Sequence, residues 1–232
     1  MIKRNLILAG VLTTGLSLQA QTVLQNEHVD IGVNYDLGAW DLHIHDETND
    51  VEYEPGDAIL RVNASAQTTI SANPLFSFLG TAGSPTWILP NTQNPGLLFL
   101  GFGAEELASG LFVGDTVDLR LTGVSGPGEF AAFDYNFLGD PVVIMNSRDG
   151  FSAADTFTAT PGGHSDLNYA FSAPGTYTVE FEASGTLVVG NLFTSSGPVA
   201  YTFDVVPEPS TWALVALGLG GACLLRRRRA RA

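Results

Sequence analysis

Cysteine is almost missing from this sequence. The one residue, Cys223, falls in an apolar run close to the C-terminus. The rest of the chain therefore has no partner for an internal disulfide, and its stability must come from core size, a bound metal, or both. Lysine is as scarce, and Lys3 is the only one. Between residues 21 and 206 the basic side chains are Arg61, Arg120 and Arg148, set against 23 of the 24 acidic residues, a net charge of −20. A surface of that sign repels a phosphate backbone, which excludes nucleic acid as a partner. It attracts divalent cations, or simply keeps the protein soluble. Catalytic signatures are absent too: no Gly-x-Ser-x-Gly elbow, no His-Glu-x-x-His helix, no phosphate loop and no cysteine outside the tail. No enzyme is expected. A secreted hydrolase stays as the last alternative, because paired carboxylates for glycoside hydrolysis meet only in the fold.

What is present begins with two targeting segments. Lys3 and Arg4 precede an apolar stretch over residues 6–18, with small or polar residues up to Ala20. This is the pattern of a secretory signal peptide over residues 1–20, too short for a permanent span. At the other end Pro207, Glu208, Pro209 and Ser210 lead into an uncharged apolar run over residues 210–225, then Arg226, Arg227, Arg228, Arg229 and Arg231. The prolines end the preceding strand, and the run is expected to form a transmembrane helix with its arginines cytoplasmic. This tail, residues 207–232, closely resembles the PEP-CTERM sorting signal. The resemblance implies export through the inner membrane and anchoring by the C-terminal helix. Cleavage by an exosortase at or near Pro207-Glu208-Pro209 would follow, leaving the mature domain at the cell surface or in the extracellular matrix. Exosortase, the secretion machinery and the membrane are the implied partners, and extracellular polysaccharide or matrix is a further one.

The intervening residues 21–206 read as a single domain of short strands. Val29, Ile31, Val33 and Tyr35 alternate with polar residues or glycine, as do Trp40, Leu42 and Ile44. Such alternation suits sheets with one wet face. Residues 58–62, 116–122, 129–135, 141–145, 167–171, 176–183 and 199–205 continue the series. Residues 104–109 read as helical, and the Gly/Pro-rich stretch 71–96 as a long loop. The expected fold is all-β: an acidic, antiparallel, immunoglobulin-like β-sandwich between the signal helix and the transmembrane helix. Trp40 and Trp87 are expected in the core.

Chemistry concentrates on four histidines. His43 and His45, at i and i+2 on one strand, leave the same face about 7 Å apart at the backbone. His28 lies on the preceding strand, and His164 follows a Gly-Gly turn with Asp166 two residues on. Nitrogen donors with a carboxylate suit zinc. The same spacing also suits residues lining a polar sheet face without a shared ligand. The run Asp46, Glu47, Asp50, Glu52, Glu54 and Asp57 lacks the spacing and central glycine of a calcium loop and reads as a solvated loop.

Residues 28–33 and 40–47, together with Gly163-His164, residues 168–171 and residues 173–177, resemble the choice-of-anchor surface domain. That domain occurs in actinobacterial wall-anchored repeats and in zinc-repressor-controlled PEP-CTERM proteins. The resemblance implies an extracellular β-domain linked to zinc or manganese uptake, without an established activity. Related domains often carry a histidine where Asp166 stands, and a carboxylate can still ligate. The expected function is thus a non-catalytic, surface-sorted domain binding Zn2+ through His28, His43, His45, His164 and Asp166. The alternative is a structural or adhesive matrix component without a functional metal.

Overall fold

The computed structural model describes residues 20–207. The expected signal peptide (apart from Ala20), the transmembrane helix over 210–225, Glu208, Pro209 and Arg226 to Arg229 lie outside the described residues. Nine strands come first: β1 (Thr22–Leu24), β2 (His28–Asp36), β3 (Ala39–Asp46), β4 (Val51–Tyr53), β5 (Ala58–Val62), β6 (Gln67–Thr69), β7 (Pro85–Leu89), β8 (Phe99–Gly103) and β9 (Val117–Ser125). Eight follow: β10 (Phe130–Tyr135), β11 (Pro141–Asn146), β12 (Thr156–Ala159), β13 (His164–Asp166), β14 (Asn168–Phe171), β15 (Gly175–Thr186), β16 (Phe193–Ser195) and β17 (Val199–Val205). The described residues are therefore all-β, with only short 3-10 turns between strands. Among them no helix is long and apolar enough to cross a membrane.

Three sheets form. The first runs β1-β5-β17-β15-β9-β12 with β16 beside β15, the second β11-β10-β14-β7-β6, and the third β13-β8-β2-β3-β4. Residues 164–171 tie the last two together, pairing with β8 as β13 and then with β7 and β10 as β14. Alternation explains the packing. Tyr177, Val179, Phe181 and Ala183 of β15 are fully buried on one side of the first sheet. The Phe181 ring lies 5.3 Å from Phe102 of the third sheet and 6.1 Å from Phe130 of the second. The first sheet thus covers both of the others over one apolar core. Burial of each such ring contributes about 2–3 kcal/mol.

Three departures from the sequence expectation stand out. The sheets are mixed, not purely antiparallel: β1 and β17 both pair with β5 in parallel, and β2 pairs with β8 in parallel. Residues 104–109 form a turn in place of a helix, because the Ala104 N–H and C=O are engaged by Gly163 and Gly162. The expected loop 71–96 contains β7, whose Pro85 sits at the first strand position, where its missing N–H is tolerated.

One further contact fixes the entry to β15. The Tyr177 hydroxyl donates to the Ala173 carbonyl at 2.8 Å and accepts from the Ala173 N–H at 3.2 Å. Gly128 makes room for it, since a Cβ there would lie 2.8 Å from the tyrosine oxygen.

Candidate metal centre

The outer face of the third sheet collects all four histidines. Because directly paired residues point the same way, its register lays out rows of side chains. One row runs Asp166, Gly101, Asp30, His45, Glu52; the next runs His164, Gly103, Gly32, His43. His28 is paired with Phe99, one step along, and stacks on it with ring centroids 4.6 Å apart. The alternate residues Val29, Ile31, Leu42, Ile44, Leu100 and Phe102 point inward and anchor this face to the core.

The three glycines make this face a trough. A Cβ on Gly101 would fall on Asp30 Oδ1 and lie 3.1 Å from Asp166 Oδ1, and one on Gly103 would lie 3.2 Å from Asp30. A Cβ on Gly32 would fall on the His43 ring. Asp30 and His43 therefore lie down over the backbone, only 2% and 5% exposed.

Asp30 is the centre of one group. Neither of its carboxylate oxygens receives a hydrogen bond from any described residue. A buried carboxylate in that position loses hydration without compensation. Its pKa is accordingly pushed up to about 6, first by burial, against the opposing pull of His28 and His164. Around it, His28 Nε2 lies 3.8 Å from Asp30 Oδ1 and 3.2 Å from Asp166 Oδ1. His164 Nε2 is 3.7 Å from Asp166 Oδ2, and His164 Nδ1 is 3.2 Å from Glu105 Oε1. Burial acts to lower the His164 pKa, but Asp30, the Glu105 hydrogen bond and Asp166 outweigh it and raise it. Ligand atoms around a tetrahedral zinc with bonds of about 2.1 Å sit roughly 3.4 Å apart. The His28–Asp30, His28–Asp166 and His164 Nε2–Asp166 separations of 3.8, 3.2 and 3.7 Å fall around that value, while the Glu105 contact uses the other nitrogen of His164.

A second group lies beside the first. One donor atom from each of His43, Glu52 and Glu106 lies within 4.8 Å of the other two. His43 Nδ1 is buried and makes no hydrogen bond to a described residue. His45 Nδ1 is 2.8 Å from Glu47 Oε1, close enough for an ion pair but without the alignment of a hydrogen bond. Its Nε2 is 3.7 Å from Asp50.

The single convergence expected of the histidines is thus divided. His28, His164 and Asp166 come together. His43 and His45 share their sheet face, yet each faces carboxylates of its own. The register is the reason, since it places Asp30 opposite His45 and Gly32 opposite His43, leaving His28 one row away. Sequence reasoning passed over Asp30, Glu105 and Glu106. Asp30 carried a readable signal, an acid in the middle of an alternating strand. The acidic run 46–57 is also divided. Asp46 is buried and accepts from Thr48 N–H and Asn49 N–H, while Glu52 joins His43. Trp87 is buried, and half-buried Trp40 stacks on Phe112 at 5.2 Å.

Residues 205–229 match the family described as the PEP-CTERM protein-sorting motif. The chain therefore ends in an exosortase-directed sorting tail, which places it among exported, membrane-sorted surface proteins. Where the described residues end, β17 stops at Val205, Val206 N–H makes a final bond to Val62 O, and Pro207 is exposed. The matched residues bear only on the tail, and not on the ectodomain's likeness to the choice-of-anchor domain. No curated protein and no solved structure matches the chain.

Proposed function

We propose that this sorted surface protein displays a non-catalytic, immunoglobulin-like β-sandwich that binds a zinc ion through His28, Asp30, His164 and Asp166, with Glu105 at its rim. The observation that carries the proposal is Asp30, a carboxylate buried over Gly101 and Gly103 and left without a hydrogen bond beside two imidazoles and a second carboxylate. A cation would supply the compensation that no described protein group gives. Mixed nitrogen and oxygen donors favour zinc over calcium or magnesium. The likeness to the choice-of-anchor domain points the same way. The sandwich reading is supported by the Tyr177–Ala173 contact, which has the form of a tyrosine corner.

The domain's function on this reading is metal capture or metal-stabilised display at the cell surface. The test is a zinc titration of the full chain in detergent, followed by metal analysis and thermal unfolding. A zinc equivalent that raises the melting temperature, and that Asp30→Asn with His164→Ala abolishes, is the expected result. Equal zinc content in wild type and variant would remove the site. The protein would then be a structural or adhesive matrix component.

A further inference from the structure

We infer that the same sheet face carries a second, separate divalent-cation site made by His43, Glu52 and Glu106. It shares no ligand with the Asp30 site and does not depend on it.

Three observations support it. First, His43 is 5% exposed, and its Nδ1 has no hydrogen-bonding partner among the described residues. A buried polar atom left this way costs free energy unless something outside the protein meets it. Second, Glu52 and Glu106 come from different elements, β4 and the turn after β8, yet one carboxylate oxygen of each lies within 4.8 Å of the other and of a His43 ring nitrogen. Two acids meeting at one imidazole form an arrangement that a divalent cation neutralises. Third, access exists. His43 and Glu52 line an open pocket of about 340 Å³ whose other walls include Asp41, Glu54 and Asp57. An acidic mouth of this kind draws in cations.

Glu105 and Glu106 connect the two sites without merging them. The turn that replaces the expected helix sends Glu105 to His164 and Glu106 to His43 and Glu52. Consecutive side chains of one short turn thus serve neighbouring sites. One imidazole with two carboxylates is a set that zinc or manganese accepts and that calcium, preferring six or more oxygens, does not favour.

The experiment counts zinc ions on the full chain in detergent, with excess magnesium present to occupy weak acidic positions. Wild type, Glu52→Gln with Glu106→Gln, and His164→Ala are compared, and histidine ring nitrogens are followed by NMR. Glu52 and Glu106 are exposed, so their isosteric amides preserve the fold. Two zinc ions on wild type and one on each variant are expected, with the His43 ring signal of the His164→Ala protein shifting on zinc addition. If the Glu52/Glu106 variant holds as many zinc ions as wild type, the second site does not exist. One zinc on wild type that only His164→Ala removes would leave the Asp30 site standing and overturn this one. One zinc that only the Glu52/Glu106 variant removes would do the reverse.

Discussion

On the outer face of the first sheet, acids meet arginines. Arg61 Nε lies 3.1 Å from Asp204, and Arg120 lies 2.5 Å from Glu182, which also accepts from the Ser195 hydroxyl. Arg148 donates to the Leu79 carbonyl. The three arginines of the domain are therefore engaged elsewhere, and the outer face of the third sheet meets its acids with His28, His43, His45 and His164. The difference is chemical as well as positional. A guanidinium stays charged at every accessible pH and cannot ligate a metal. An imidazole changes charge near neutrality and is a common metal ligand. One face is held by fixed charge, and the other is left to respond to protons and cations.

The largest expected effect comes from removing the responsive groups. His28→Ala with His164→Ala should weaken zinc binding at the Asp30 site by about 100-fold or more, since losing a ligand exceeds the roughly 10–100-fold cost of losing an outer partner. Competition against a chelator measures it. Arg120→Ala with Glu182→Gln, a disruption of equal size on the other face, should leave that affinity unchanged. A comparable loss in both variants would erase the distinction between the faces.

Asp30→Asn sharpens the contrast through pH. In the metal-free protein the Asp30 pKa is raised to about 6 from an ordinary 3.8. The folded state thus holds a proton that the unfolded chain releases, so its stability is greatest below the unfolded value and is lost as pH rises through about 6. The full loss at neutral pH is on the order of 3 kcal/mol. Asp30→Asn should therefore stabilise the metal-free protein at pH 7 by about 1–3 kcal/mol, with little gain at pH 4, while abolishing stabilisation by zinc. Urea unfolding at the two pH values gives both numbers. A variant less stable than wild type at pH 7 would mean that Asp30 already has a partner.

Gly101→Ala tests the trough itself. The added methyl falls on the Asp30 and Asp166 carboxylates, so zinc affinity should drop by about tenfold, with an overpacking cost of about 1–3 kcal/mol. The requirement for glycine here also shows where the sequence could be read and where it could not. Alternation in β2, β3, β15 and β17 is plain, because one face of each meets a core, and those strands were legible from their side chains alone. Phe99–Gly103 was not, because two of its five residues are glycines. They are there to leave space for Asp30, a residue far away in sequence. The tail was legible because its parts are contiguous. The pairing of His28 with His164 was foreshadowed by residue type, but the separation of His43 from them follows from strand register, which no local pattern encodes. Glu105 and Glu106 depend on a turn whose backbone is fixed by Gly162 and Gly163 across the sheet.

The smallest effect belongs to the arginine face, and its sign is opposite. Glu182 is held below the ordinary carboxylate range, first by the Ser195 hydroxyl, then by Arg120, with burial opposing. A depressed carboxylate contributes stability above its unfolded pKa and loses it as pH falls through the folded value. Acid should therefore weaken the first sheet below the ordinary Glu value of 4.5, beneath most of the range, from about 6 down to 3.8, in which it relieves Asp30 on the third. Arg120→Ala removes only the second of the two supports, and Arg120 is partly exposed, so the cost should be below about 1 kcal/mol and reduced by salt. Ser195→Ala together with Arg120→Ala should cost more than either alone and flatten the acid limb of the stability curve. Measured beside Asp30→Asn, which flattens the loss of stability between about pH 4 and 6, the pair separates a face stabilised by its own charges from a face that awaits a cation.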